Sequence, residues 1–421
     1  MSKRIYRAVS VNTIALPDLG IQRDEPVVVA IDVAKVDNKA ALIQGGRVLR
    51  TVGWKAPAET LTFVELVRGL TQLSKVEVVM ESTGTYGDPL RAQMARLGVP
   101  VFRVHAKHTH DAAELFDGVP SIHDAKASHL IGWLHVQKRS RPWPMKSDEA
   151  RDVAAAAESY ELYNGQLMAC LSRIEAWLAR HFPELTEVVS LQNKSTLALL
   201  ESFGGPQAIA QNAAAAAKLI RDVGGHFLDP AKVDRIIVAA RATTGDKMTA
   251  IERRTLQQLA GEARRLDLLK ADAHAVLEEC TAKKEEARRV AEVIGATTAA
   301  IVWAEAGEIA AYASPAAYVK ALGLNLKIKS SGKCEGQLKL TKRGSSRARK
   351  YLYLAVLRLI QHEPHFKVWY ARKVEREGGQ RKLKALTALM RKLASALWYV
   401  ARGAPFEPAK LFDAKRLGLE A

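Results

Sequence analysis

Cysteine is scarce: the 421 residues hold three, at Cys170, Cys280 and Cys334. They stand too far apart for a disulfide framework or a CxxC zinc site, so they are expected to be packing residues in a reducing compartment. No run of about 18 apolar residues occurs, which excludes a membrane-spanning helix. The opening MSKRIYRAVSVNTIALPDLG also lacks the continuous apolar core of a signal peptide. A soluble cytoplasmic protein with no membrane partner is the expectation.

Acidic residues are scarce in one region above all. From 321 to 421, 23 Lys and Arg face 7 Asp and Glu, a local balance of 23 − 7 = +16 within a chain whose formal charge is +18. The first three quarters are nearly neutral. Such a distribution implies an acidic polymer as partner, although charge alone does not separate DNA from RNA or an anionic membrane. The length suggests roughly two to four domains.

After a polar lead over residues 1–25, VVVAIDVAK (27–35) has a buried-strand pattern, and NKAALIQGGRVLRTVGW predicts two strands about a Gly45-Gly46 turn. LTFVELVRGLTQL has helical period, KVEVVME is a strand, YGDPLRAQMARLG a helix and VPVFRVH a strand, followed by a helical run from about Asp124. The order βββαβαβα, with carboxylates at strand ends, predicts an α/β RNase H-like (RuvC-like) domain over 26–145. Its end is expected near the prolines of Arg141–Pro144.

Residues 146–292 are rich in Ala, Leu, Glu, Lys and Arg at helical spacing and predict long helices forming a coiled-coil pair, with an inserted helical segment at about 191–247. Within that insert, Gly204-Gly205-Pro206 separates two helical runs, either a helix-hairpin-helix presenting amides to phosphate or alanine-rich filler. A second hairpin, AEVIGATTAAIVWAEAG, puts Gly295 and Thr297 at a helix start. Residues 293–421 predict a mainly α-helical basic domain, with two amphipathic helices behind a loop rich in Gly, Ser and Lys.

Asp32 follows four apolar residues on the first strand, where an unpaired carboxylate costs several kcal/mol. Glu81 closes EVVME in the same manner, with Ser82-Thr83-Gly84-Thr85 as turn and cap residues opening the next helix. Asp124 falls on the first turn of a helix expected to cross the sheet. Any one of these acids alone also reads as a cap or a solvated residue. Together, three carboxylates converging with open positions suit magnesium, with manganese as an alternative, and phosphodiester displacement as the reaction class.

The segments AIDVAK, MESTGTYGDPL and HDAKASHLI, in this order and spacing, resemble the N-terminal domain of the insertion-sequence 110 family of transposases, which includes its 1111 subgroup and the Piv-type invertases. The resemblance implies a RuvC-like domain with an Asp, Glu, Asp, Asp tetrad. Asp32, Glu81 and Asp124 match its first three members, while Ala127 stands at the fourth, and a methyl group cannot ligate a metal. Three acids suffice in this chain, or Asp117 substitutes, or the chain is an inactivated variant, which the fit of the flanking residues favours.

GLNLKIKSSGKCEGQLKLTKRGSSRARKYLYLAVLRL resembles the same family's C-terminal transposase domain, in which the serine before a glycine is the nucleophile; here that is Ser331. Without the family, Ser330, Ser331, Ser345 and Ser346 read as loop and cap residues. The resemblance further implies donor and target duplex DNA, a guide (bridge) RNA, a homodimer assembling to a tetramer, and a prokaryotic, nucleoid-associated location. The residues themselves supply a basic run of Lys327, Lys329, Lys333, Lys339, Lys342, Arg343, Arg347, Arg349 and Lys350, able to neutralise several phosphates. Two other readings stand beside an RNA-guided recombinase: a RuvC-like structure-selective nuclease using water, and a decayed, non-catalytic nucleic-acid-binding regulator.

Overall fold

The computed structural model describes residues 6–81, 84–225, 229–331, 334–412 and 417, with the main chain alone for 328–331 and 334–338. The chain divides into two compact units, 1–146 and 147–421.

The first unit is a seven-stranded mixed sheet: β1 (Ala8–Ser10), β2 (Val27–Asp32), β3 (Asp37–Gln44), β4 (Arg47–Lys55), β5 (Val76–Glu81), β6 (Val101–Val104) and β7 (Arg141–Pro142), in the order β1-β4-β3-β2-β5-β6-β7. Strands β2, β3 and β4 form the antiparallel meander expected from the sequence. Gly45 and Gly46 take φ of 56° and 75°, as a two-residue hairpin turn of matching twist requires. Strands β5 and β6 then join β2 in parallel.

Helices α1 (Thr60–Leu73) and α2 (Asp88–Arg96) cover one face of the sheet, and α3 (Ala106–Asp117) and α4 (Asp124–Val136) the other. Strands buried on both faces explain why VVVAID and VEVVME read as nearly continuous apolar runs rather than alternating ones.

Three features depart from the sequence expectation. The lead is not merely polar: Ala8–Ser10 pairs in parallel with β4, and Val11 and Leu19 enter the core. Helix α3 was absent from the expected order; its apolar face is short, with only Thr109 and Ala113 buried, too few to give a clear period. Among the described residues Pro142 and Pro144 do not merely interrupt structure: Arg141–Pro142 is itself the last strand of the sheet, and Trp143 packs against the core.

Among its described residues the second unit is helical apart from one hairpin. Helices α5 (Asp148–His181), α6 (Pro183–Val188), α7 (Lys194–Phe203), α8 (Pro206–Gln211), α9 (Ala213–Gly224), α10 (Pro230–Arg241) and α11 (Ala250–Ala282) precede α12 (Glu285–Ile294), α13 (Ala296–Ala306) and α14 (Pro315–Ala321). Strands β8 (Leu326–Ser331) and β9 (Cys334–Leu340) follow, then α15 (Ser346–His362), α16 (Pro364–Arg376), α17 (Lys382–Ala401) and α18 (Pro408–Leu411).

The long helices α5 and α11 lie antiparallel, Cys170 Sγ donating to the Leu259 carbonyl at 3.2 Å and the Tyr160 and His274 rings 5.7 Å apart. They form a spine shared by two apolar cores. One is closed by α6 to α10, the other by α12 to α17. Thr249 and Glu252 cap the start of α11 reciprocally, each side chain satisfying an otherwise orphaned amide.

One open alternative is narrowed here and one expectation is corrected. The Gly204-Gly205 turn packs against the α11 region: a Cβ on Gly204 would overlap Arg253, and one on Gly205 would overlap Met248, so this face is closed by protein rather than offered to phosphate. The Gly, Ser and Lys-rich stretch before α15 is not a loop but the β8-β9 hairpin. Its alternation of Leu, Lys, Ile, Lys is a strand pattern that the turn-forming composition obscures.

Helix α4 seats closely on the sheet at Gly132, where an added Cβ would overlap Ile43 Cδ1 and Ala30 Cβ. Gly132→Val is expected to destabilise this unit by about 1–3 kcal/mol through overpacking, as measured by urea unfolding.

Candidate active site

Asp32 and Glu81 end adjacent parallel strands, one residue past the Ile31–Met80 pair. Side chains alternate along a strand, so Asp32 shares the face of Val28 and Ala30, and Glu81 that of Val79. This is the face that α4 covers with Leu130, Ile131 and Leu134. The helix starts over the carboxyl ends of the strands and runs back along them, since its last turn brings His135 Nε2 to 2.8 Å from Glu77 on β5. Asp124, its first residue, thereby comes to the same sheet edge as Asp32 and Glu81.

The other two carboxylates act on Asp32 electrostatically. Burial first, then the charges of Asp124 and Glu81, push the Asp32 carboxyl up to about 6. Among the described residues no cation pairs with any of the three. Hard carboxylate oxygens with excess negative charge are the donor set that a divalent cation relieves.

Among the described residues, however, no three His, Cys, Asp or Glu side chains stand close enough together to hold an ion. The chemistry of the donors fits a divalent metal, and the cluster is open. Ala127 is one turn beyond Asp124 and 6% exposed.

Position 124 is fixed by contacts that the sequence did not disclose. His123 caps α4, its Nδ1 accepting from the Lys126 amide at 3.3 Å. Lys126 is 2% exposed, and its Nζ donates to Asp117 at 2.6 Å and to the Val119 carbonyl at 2.5 Å. Asp117 also accepts from Tyr6 Oη at 2.7 Å and the Val119 amide at 3.0 Å, and the Lys126 and Tyr6 hydrogen bonds hold its carboxyl below the usual range.

Asp117 is therefore committed to anchoring the α3–α4 connection, which removes it as a substitute fourth ligand. The Tyr6 ring packs against His123 and His129. His129 is buried and bonds Thr51 Oγ1 at 2.6 Å; burial and then His123 push its pKa down to about 4, so it is neutral. In the sequence Lys126 looks like any surface lysine, and Tyr6 lies more than a hundred residues away.

Beyond Glu81, Ser82 and Thr83 lie outside the described residues. Gly87 occupies the N-cap of α2, with Asp88 and Pro89 in its first turn.

In the second unit Ser331 is the last residue of β8, paired with Cys334. Gly332, Lys333 and the side chains of Ser330, Ser331 and Lys329 lie outside what the structure describes. Lys327, Lys339, Lys342 and Arg343 are exposed. Three other cations of the expected nucleic-acid run have internal partners. Arg347 pairs with Glu305 at 2.8 Å, Arg349 donates to the Leu322 and Gly344 carbonyls at 3.1 and 2.9 Å, and Lys350 pairs with Glu161 at 3.0 Å. These three brace α15. Ser345 caps that helix, accepting from the Ala348 amide at 3.1 Å and donating to Glu305 at 2.6 Å.

Residues 29–183 match a family profile described as a transposase, of the DEDD type of IS110, and residues 291–371 match the transposase IS116/IS110/IS902 family. The chain belongs to the IS110 family of transposases. Over 406 residues this transposase is 24% identical to the insertion element IS900 uncharacterized 42 kDa protein of Mycobacterium paratuberculosis, an alignment covering 91% of the chain and 98% of that protein. Membership makes the sheet unit an RNase H-like fold, the class of activity DNA transposition by a mobile element, and a divalent metal the general requirement of such domains. Among the described residues no helix of the transposase is long and apolar enough to cross a membrane.

A carboxyl whose proton affinity rises on folding stabilises the folded chain while protonated; that contribution is complete below about pH 4 and lost as pH rises through about 6. Asp32→Asn is thus expected to stabilise the metal-free transposase near neutral pH by on the order of 1–2 kcal/mol, after allowance for solvent screening, with little effect near pH 4. Thermal melts across that range check it, and added Mg2+ should narrow the neutral-pH difference. Lys126→Met is expected to lower the thermal midpoint, and Asp117→Asn combined with Lys126→Met to recover part of the loss by removing the orphaned charge.

Proposed function

We propose that this transposase recombines donor and target DNA under the guidance of a structured bridge RNA, with Ser331 as nucleophile and Asp32, Glu81 and Asp124 as ligands of Mg2+ or Mn2+. The observation that carries the reading is the placement of three carboxylates at one sheet edge, where burial first and then the charges of Asp124 and Glu81 raise Asp32 to about 6. Likeness to the family supports the serine, the RNA and the pairing of each acidic cluster with the serine of a partner subunit in a dimer that assembles to a tetramer.

Lys327, Lys339, Lys342 and Arg343 are the exposed cations available to DNA phosphates; Lys329 and Lys333 belong to the same proposed interface. Arg347, Arg349 and Lys350 act on it only by bracing α15.

In the reaction the Ser331 hydroxyl oxygen bonds to phosphorus as the bridging oxygen of the departing strand leaves. The serine gives up its proton, and the departing oxygen takes one. One phosphoester replaces another, so the strand can be rejoined without a nucleotide cofactor. A bound divalent ion would supply charge stabilisation to the phosphoryl oxygens. The protein's own task is positional: β2, β5 and α4 hold three acids at one edge, and β8 carries the serine. Ala127 deprives the site of its fourth carboxylate, so cleavage is impaired.

A second reading is favoured by Ala127 and by the openness of the cluster: a non-catalytic DNA-binding regulator. Ala127→Asp separates the two. For a recombinase it should raise Mg2+-dependent strand cleavage by about two orders of magnitude and yield a covalent protein–DNA adduct that Ser331→Ala abolishes. Unchanged DNA binding with no cleavage would establish the regulator; cleavage without any adduct would establish a water-using nuclease. Sequencing the RNA that copurifies with the transposase tests the guide.

A further inference from the structure

The hairpin β8-β9 forms a two-stranded sheet of its own, and such a ribbon is only marginally stable in water. Its foot is well held: Leu324 is buried, Leu340 packs on the core, and the Thr341 amide donates to Asn325 at 2.9 Å and the Lys342 amide to Gly323 at 3.1 Å. Above the foot, Lys327 and Lys339 stand directly opposite each other. Opposed residues on a ribbon have Cβ atoms about 4.5–5.5 Å apart, and like charges there destabilise the pairing.

Both lysines are exposed, and neither pairs with an acid among the described residues. Some other cations of the same unit do have acid partners. Arg347, Lys350 and Lys373 each meet a carboxylate from Glu305, Glu161 or Glu377. A like-charged pair set directly opposite on a marginal ribbon, with no acid beside it among the described residues, points to a counter-ion from outside.

We propose that Lys327 and Lys339 clamp a phosphodiester of duplex DNA, and that this DNA is what stabilises the hairpin. The proposal deepens the recombinase reading and rests on it for one consequence. Ser331 lies four residues beyond Lys327 on β8, about 13 Å along the strand. A hairpin ordered by DNA presents the nucleophile only where substrate is bound. Duplex DNA rather than RNA is the occupant because the strand that carries the clamp carries the serine that must meet DNA.

Hydrogen exchange of the 326–340 backbone in the full-length chain tests this, with duplex DNA, with RNA and with neither. Wild type should exchange quickly alone and several-fold more slowly with DNA. Lys327→Glu, which converts the like-charged pair to an opposite-charged one, should slow exchange without DNA by roughly fivefold. The same variant should weaken DNA binding and reduce its log–log salt slope by about one to two. A merely structural lysine would not move affinity and hairpin stability in opposite directions.

Lys327→Glu with Lys339→Glu should restore fast exchange and bind DNA worst. Exchange indifferent to DNA and to Lys327→Glu overturns the clamp, as does protection by RNA alone. The Ser331→Ala chain should be protected by DNA as well as wild type. Protection without adduct formation in the Ala127→Asp chain would sink the serine mechanism and leave the clamp; adducts without protection would do the opposite.

Discussion

Carboxylates repel one another, and the sheet unit places Asp32 at an edge where the charges of Glu81 and Asp124 reach it. The arrangement is costly because burial has removed much of the water that would otherwise screen them, which is why Asp32 holds its proton to about pH 6 while no described cation offsets it. A core built only for stability would have placed an apolar residue at the end of VVVAID. Strain of this kind, left uncompensated at the ends of parallel strands, is characteristic of functional positions.

Keeping the charges together demands that α4 not retreat. Three contacts prevent it at different points along the helix: Gly132 lets the helix seat directly on Ala30 and Ile43, His129 bonds Thr51, and Lys126 is tied to Asp117 in front of the first turn. Tyr6 then closes over His123 and His129. The N-terminal segment and the α3–α4 connection thus serve the same end as the core beneath them, fixing where Asp124 begins.

The sheet was legible because its chemistry is local. Continuous apolar strands ending in an acid, and a Gly-Gly turn between two of them, announce themselves within a few residues. The same locality made Asp32, Glu81 and Asp124 candidates, and the family motif ordered them. Roles that depend on distant partners could not be seen. Lys126 is a buried anchor because Asp117 and Val119 are placed for it, and Arg347 and Lys350 are braces because Glu305 and Glu161 arrive from other helices. The β8-β9 hairpin was obscured for a different reason: the turn-forming residues Ser330, Ser331 and Gly332 in its sequence outweigh, in composition, the alternation of its strands. Likewise α3 buries too little to declare a period.

The two ends of the seven-stranded sheet are both very short, three residues in β1 and two in β7, and β7 includes Pro142, which has no amide hydrogen to donate. Long, flat edges of a hydrophobic sheet recruit strands from other molecules. Blunted on each side, this sheet offers little template for such growth, so the apolar strands that support the acidic cluster can be made without seeding aggregation.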